Sequence, residues 1–383
     1  MKVMGITGIR SEYDILQPVL AEIARRAGFQ VSVTVMGAHL SKTFGETVQE
    51  IRKDGFQIAD EIESLLDSDR KSARIKGLGM EVLGLTQTVT REQPDLLLIV
   101  GDREESIVTA LVGAYLDIPV AHIAGGDRVV GNVDDQVRHA VSKLATIHFT
   151  TNEESAQRLI KMGEQPFRVF NVGTPGIDRL MSTPTLSRDA LGQQLGIDLA
   201  GEKPYIVVLQ HVISSEADEA YTQMTQTLQA VKAFGHPAVV IYPNSDSGGR
   251  EIIRCIEDEA PEGYFVTAQN LPRLEFVNLL KGASCLLGNS SLGIMEAPAL
   301  SLPVINVGNR QKGRLHGNNV QFIPHQSDKI VSALQKAVYD LSYRQSVQEG
   351  EKPYGSGDSA SRIADALESI DFDHQWMIKD ITY

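Results

Sequence analysis

The chain has 383 residues, more than one ordinary hydrophobic core and enough for two domains. It is 42% hydrophobic, 22% charged and 6% aromatic, which excludes a disordered or fibrous protein, and no apolar run nears the ~18 residues that span a bilayer. Thirty-six Lys and Arg against 49 Asp and Glu leave a net charge of −13, which argues against a nucleic-acid or anionic-membrane partner.

The opening MKVMGITG lacks the long apolar segment and cleavage site of a secretory signal, so it reads as a buried strand over 1–8. Strands over 29–37, 94–101, 118–124, 147–151 and 167–173 follow, with helical patterns near 14–27, 71–92, 103–116, 132–145 and 153–162. Uniformly apolar strands separated by helices predict a parallel sheet covered on both faces, a first doubly wound domain over 1–173. The stretch 174–203, with Pro175 and Pro184, reads as a connection carrying short helices. A second series has strands near 205–210, 238–243, 264–268, 284–288 and 303–308. Helices near 216–234, 249–258, 273–282 and 328–341 alternate with them, which makes a second such domain over 204–355. GEKPYGSGDSAS (350–361) breaks the chain before a last helix near 359–369. Cys255 and Cys285 form no CxxC pair and the nine histidines no metal spacing, so we expect no metal, no cofactor and a cytoplasmic protein.

Two such sheets in tandem present their strand C-termini to a shared cleft, where open α/β sheets bind ligands. TGIRSEYD follows the first strand in place of GxGxxG, and no GxxxxGK[ST] occurs. The better phosphate cradle is GNSSLGIMEAP (288–298). Its Ser290 and Ser291 sit between a buried strand and a helix, where free N–H groups receive an anion, with Glu296 one to two turns further on. A plain N-cap uses the same residues. The loop GNRQKGRLHG (308–317) gathers Arg310, Lys312, Arg314 and His316, suited to a diphosphate or simply solvated.

Asp102 follows PDLLLIVG and Asp127 follows VAHIAGG, each at a strand end. Asn132-x-x-Asp135 has a capping pattern, and Asp134 and Asp135 can pair at i+4 with Arg138 and His139. Three carboxylates converging on one rim equip a chain for acid–base chemistry, although each also has a capping explanation. His211 ends YIVVLQ, as a cleft residue or a structural one. In YPNSDSGG (242–249), Asn244 and Asp246 lie beyond a strand, where a turn is sufficient reason for them. No GxSxG elbow supports a serine nucleophile.

Nine motifs in order carry a more specific signal: TGIRSEYD (7–14), GDREE (101–105), AHIAGGD (121–127), VDDQVRHAVSKL (133–144), QHVISSE (210–216), YPNSDSGG (242–249), NLPRLEF (270–276), GNSSLGIMEAP (288–298) and NVGNRQKGR (306–314). Together, over essentially the whole chain, they resemble the hydrolysing UDP-N-acetylglucosamine 2-epimerases of sialic- and legionaminic-acid synthesis. The resemblance implies two Rossmann-like domains facing a cleft in the glycosyltransferase-B manner, with the segment 359–383 packing back on the first. It implies conversion of UDP-N-acetylglucosamine to UDP and N-acetylmannosamine by elimination and hydration of a glycal, or the same reaction on a UDP-2,4-diacetamido sugar. A non-hydrolysing epimerase, a transferase of the same fold and a silent nucleotide-sugar-binding protein are the alternatives. A UDP-sugar is the expected partner, in a homo-oligomer, dimer or tetramer. Contacts to it are implied at Arg10, Arg103, His211, Asn244, Leu271, Ser290, Ser291, Glu296 and Arg310, and catalytic carboxylates at Asp102 and Asp134.

Three departures from the family pattern stand out. Ala124 occupies the place of a catalytic glutamate in HIEGGE, and Asp127 that of the second glutamate. The proline of HPVT is absent after His211, and Asp14 stands where Ser or Lys is common. With no ionisable group at 124, we expect Asp127 to serve beside Asp102 and Asp134 as the missing acid or base, and His211 to complete the catalytic set.

Overall fold

The structure, a computed structural model, describes residues 1–66, 71–128, 133–199, 201, 203–243, 249–259, 265–269 and 271–382. Seven strands, β1 (Lys2–Thr7), β2 (Gln30–Met36), β3 (Gln57–Ile62), β4 (Leu96–Val100), β5 (Val120–Ile123), β6 (Ile147–Thr150) and β7 (Val169–Asn171), form one parallel sheet in the order β3-β2-β1-β4-β5-β6-β7. The helices Arg10–Arg25, Lys71–Glu92, Glu104–Tyr115, Val133–Leu144 and Glu153–Lys161 connect them. Side chains alternate faces along a strand, so an all-apolar strand requires cover on both. β4 shows this directly. Leu96, Leu98 and Val100 join a core with Leu16, Leu20, Ile363 and Leu367, whereas Leu97 and Ile99 join one with Val108, Val112 and Val141.

This first compact unit comprises Met1–Arg179 and Tyr354–Tyr383. Within it, the helix Ser359–Ser369 lies on Arg10–Arg25, held by Arg26 ion pairs to Asp365 at 2.9 Å and Glu368 at 3.1 Å. The half-buried Asp178 carboxylate accepts the Ser359 and Ala360 N–H groups at 3.2 and 3.4 Å.

The second unit, Leu180–Pro353, contains β8 (Ile206–Leu209), β9 (Ala238–Ile241), β10 (Val266–Ala268), β11 (Cys285–Gly288), β12 (Val304–Val307) and β13 (Val320–Ile323). These pair in parallel as β10-β9-β8-β11-β12-β13. The helices Ala220–Phe234, Gly249–Glu259 and Ser327–Tyr339 supply its core, in which Cys255 and Cys285 are buried free thiols. Strand order reverses between β1 and β4 in one sheet and between β8 and β11 in the other. Such switch points open a crevice beyond the strand C-termini.

The structure departs from the sequence expectations at the edges. β3 and β13, both outermost, were not expected, and the first helix begins at Arg10 rather than near residue 14. Glu12 explains the early start: from the first turn it accepts the Gly8 N–H at 3.0 Å. Among the described residues no helix is long and apolar enough to cross a membrane.

Candidate functional site

In the second unit the switch point is built on Asn289, the first residue past β11. Its side chain accepts the His211 N–H at 2.7 Å and donates to the His211 carbonyl at 2.9 Å, which ties the loop after β8 to the loop after β11. Its own carbonyl accepts from Arg310 at 3.2 Å and Gln311 at 3.0 Å, which draws in the loop after β12. Gly288 permits this convergence. At φ 140° it lies so close to β8 that a Cβ would stand 2.1 Å from the Leu209 carbonyl oxygen. His211, Ser290, Ser291 and Arg310, far apart in sequence, are thus gathered on one rim, all partly exposed.

The serine turn is shorter than its sequence suggests. Ser291 precedes a single helical turn, Leu292–Met295, and makes no side-chain cap; Ser290 Oγ accepts the Leu292 N–H at 3.4 Å. A helix of four residues has little macrodipole, so anion affinity here rests on the turn's N–H groups, the hydroxyls and Arg310. Glu296 is half-buried at the end of that turn, and Leu271 is half-buried just before Pro272, which opens the helix Arg273–Gly282. Asn244 and Asp246 lie outside the described residues.

In the first unit Asp102 lies just past β4 at the switch point with β1, and the Arg138 guanidinium is paired with it. Burial lifts the Asp102 carboxyl above its ordinary range, and Arg138 offsets this only in part; the charge of Asp134 raises it further. Asp134 sits in the first turn of Val133–Leu144, one turn before Arg138. Arg138 also donates to the Ala124 carbonyl at 2.7 Å, a group presented by a left-handed turn at Ala124, φ 63°. Asp127 is anchored rather than loose. Its Oδ1 accepts the Thr151 and Ser155 hydroxyls, both at 2.6 Å, and Oδ2 stands 4.0 Å from Arg138.

The i+4 expectations divide. Asp135 meets His139 at 3.6 Å, whereas Arg138 turns to Asp102 and the Ala124 carbonyl. The expected cap at Asn132 lies outside the described residues. Arg103 lies at the start of Glu104–Tyr115, 3.7 Å from both Glu104 and Glu105. Arg10 opens the first helix, 54% exposed and 3.6 Å from Glu50, and Asp14 pairs with Arg179.

Behind this rim His122 is fully buried. Its Nε2–H donates to the Gly101 carbonyl at 2.7 Å, and burial pushes the imidazole down to about 3, so it stays neutral. Ser142 Oγ lies 3.3 Å from Nδ1 and donates to the Arg138 carbonyl at 3.0 Å. Arg138 and Asn289 are the two organising residues that the sequence reading left out of the site. Both stand inside motifs it quoted; the available signal was, for Asn289, a polar residue directly after an apolar strand and, for Arg138, a cation in helical register with Val141 and Ser142. Among the described residues no group of three or more His, Cys, Asp or Glu side chains is arranged to hold a metal ion.

Residues 21–368 match the family model described as UDP-N-acetylglucosamine 2-epimerase. A UDP-N,N'-diacetylbacillosamine 2-epimerase (hydrolyzing) of Legionella pneumophila is 35% identical over 382 residues, covering 100% of this chain and 99% of that protein. A UDP-N-acetylglucosamine 2-epimerase of Neisseria meningitidis serogroup B is 29% identical, covering 98% of this chain and 97% of its own. Among solved structures, UDP-GlcNAc 2-epimerase from Neisseria meningitidis bound to UDP-GlcNAc superposes with a TM-score of 0.77 at 19% identity, over 97% of this chain and 100% of that one. The fold is therefore the expected α/β one, two Rossmann-like doubly wound units of glycosyltransferase-B type. With a family match over nearly its whole length, and strand-end motifs gathered at both switch points, the chain belongs to the UDP-N-acetylglucosamine 2-epimerase family.

Proposed function

We propose that this protein hydrolyses a UDP-2-acetamido sugar with inversion at C2, releasing UDP and the free epimeric sugar. The observation that carries this reading is the full-length likeness to a Legionella protein described as a hydrolyzing 2-epimerase. A C2–H bond is not acidic in the ground state, so C1–O cleavage leads and builds oxocarbenium character beside it. In this reading the Asn289-centred rim, with Ser290, Ser291 and Arg310, takes the diphosphate and stabilises it as it leaves. His211, Asn244, Leu271 and Glu296 make the remaining contacts of the second unit, and Arg10 and Arg103 those of the first.

Asp102 then accepts the C2 proton, which leaves a glycal. A carboxyl lifted above its usual range by burial is a stronger base than a solvated one, and Arg138 holds it in place. Water adds at C1 while a second acid, Asp134 or Asp127, protonates the opposite face of C2. Two sugars are in contention, since the Legionella relative is described with UDP-N,N'-diacetylbacillosamine and the Neisseria one with UDP-N-acetylglucosamine. The higher identity of the first, and an Asp at 127 one methylene shorter than the family's glutamate, favour a 2,4-diacetamido sugar. The UDP-N-acetylglucosamine reading gives N-acetylmannosamine.

Both substrates, followed by proton and phosphorus NMR in D2O, test the proposal. The expected products are UDP and a free sugar inverted and deuterated at C2. An intact nucleotide sugar with inverted C2 means a non-hydrolysing epimerase, and UDP release only with an added acceptor means a transferase. UDP binding without turnover of either sugar means a silent binding protein.

A further inference from the structure

The segment after Ser359–Ser369 does more than cover the first unit. Lys379 Nζ donates to the carbonyls of Ser142 at 2.7 Å, Lys143 at 3.0 Å and Ala145 at 2.7 Å. These lie at the end of the helix Val133–Leu144, where the last carbonyls have no partner within the helix and favour a cation. The same ammonium stands 2.6 Å from Glu164, a fully buried carboxylate that also meets Lys143 at 2.7 Å and His148 at 3.0 Å. Burial draws the Lys379 ammonium down to about 8 against the pull of Glu164, so at neutral pH it is still mostly charged.

The segment is itself seated firmly. The fully buried Arg168 donates to the carbonyls of Gln375 and Trp376 at 2.7 Å and of Ile378 at 2.8 Å, and Thr382 N–H donates to the Gly163 carbonyl at 3.1 Å. Trp376 packs edge-on against Phe167, ring centroids 5.0 Å apart.

From Lys379 the contacts run without a gap to the reacting end of the helix. Ser142, whose carbonyl takes Lys379, donates through its hydroxyl to the Arg138 carbonyl, and the Arg138 guanidinium holds Asp102. We infer that Lys379 is a positioning residue for the proton-transfer group, fixing the axial seat of Val133–Leu144 and through it the placement of Arg138 against Asp102. The inference rests on the function proposed above. A helix moves along its axis as a unit, and a displacement of about 1 Å at reacting groups can cost on the order of a hundredfold in rate.

The test uses the full chain carrying Lys379→Met, with Lys379→Arg as the conservative variant; should the Met variant not fold, Lys379→Gln carries the same comparison. The Asp102 carboxyl is followed by carbon NMR on labelled protein, assigned with Asp102→Asn. We expect its pKa to rise by about half a unit or more in the Met variant as Arg138 loosens, and to stay near wild type in the Arg variant. In an active enzyme, kcat falls roughly tenfold to a hundredfold while UDP affinity by calorimetry holds within about twofold. A folded Met variant with unchanged Asp102 titration and kcat overturns the inference, as does a loss of kcat and UDP affinity in step with loss of folded protein. A wild type that turns over no UDP-sugar sinks the proposed function alone, because the titration arm still decides the coupling.

Discussion

Two side chains separate nucleotide binding from proton transfer. Arg310 reaches the Asn289 carbonyl at the rim proposed for the diphosphate. Arg310→Ala removes a charge-assisted contact of about 1.5–3 kcal/mol, so calorimetry with UDP should show affinity weakened by about tenfold to a hundredfold. Wild-type affinity in that variant would place the diphosphate elsewhere. Asp127 is the opposite case. Thr151 and Ser155 fix one of its oxygens and Arg138 stands 4.0 Å from the other, so Asp127→Asn keeps the shape while removing the ionisable group. Turnover should fall by roughly 10²-fold with UDP affinity kept. Near-normal turnover with an unaltered pH profile would assign both proton transfers to Asp102 and Asp134 and leave Asp127 as an anchor.

The decisive element of the second unit is a pair of neighbouring strands, not a helix. Where β8 and β11 end, the approach of Gly288 to the Leu209 carbonyl allows Asn289 to bond both backbone groups of His211. Gly288→Ala puts a methyl into that carbonyl at a backbone angle that side chains rarely adopt. We expect a loss of about 2–4 kcal/mol in urea unfolding, together with weakened UDP binding as the rim opens. An Ala variant with unchanged stability would mean that the two strands part easily and that Asn289 alone organises the rim.

Across the whole molecule, buried carboxyls shape the dependence of stability on pH. Glu81 is 4% exposed and, among the described residues, accepts only Ser64 Oγ, at 2.7 Å; burial, with the charge of Glu105 nearby, pushes it up to about 8. The folded state therefore keeps a proton that the unfolded chain releases near 4.5, so this contribution is full below that pH and is lost as pH rises through about 8. Asp178, raised to about 6 chiefly by burial, acts in the same direction over a narrower window. The buried neutral His122 acts oppositely, with stability lost as pH falls from 6.5 toward 3. Glu81→Gln should flatten the decline between pH 5 and 8 by on the order of 2 kcal/mol in denaturant unfolding. Parallel curves for the two proteins would show that Glu81 is ionised in the folded state.

Much of this was legible in the residues, because an all-apolar strand can be buried only on both faces. PDLLLIVG and YIVVLQ announce central parallel strands, and the polar groups that follow them, Asp102 and His211, are bound to lie at strand ends. Of the four edge strands, β7 and β10 keep enough of that signal to be read, and β3 and β13 do not. In QIADEI and VQFI, polar residues interrupt the apolar run because one side of each strand has no neighbour, so β3 and β13 are seen only in the folded sheet. The serine turn, the His211 loop and Arg310 likewise lie tens of residues apart, and strand order alone makes them neighbours. Arg138 is the sharpest instance. By spacing it is an i+4 partner for Asp134, but folding offers its guanidinium Asp102 and a backbone carbonyl, and a half-buried anion beside a nearly dry cation outweighs a solvated helical pair. Composition, strand periodicity and motif order are properties of the chain and determine its class. Which charges meet depends on strand order and burial, and only the tertiary structure decides it.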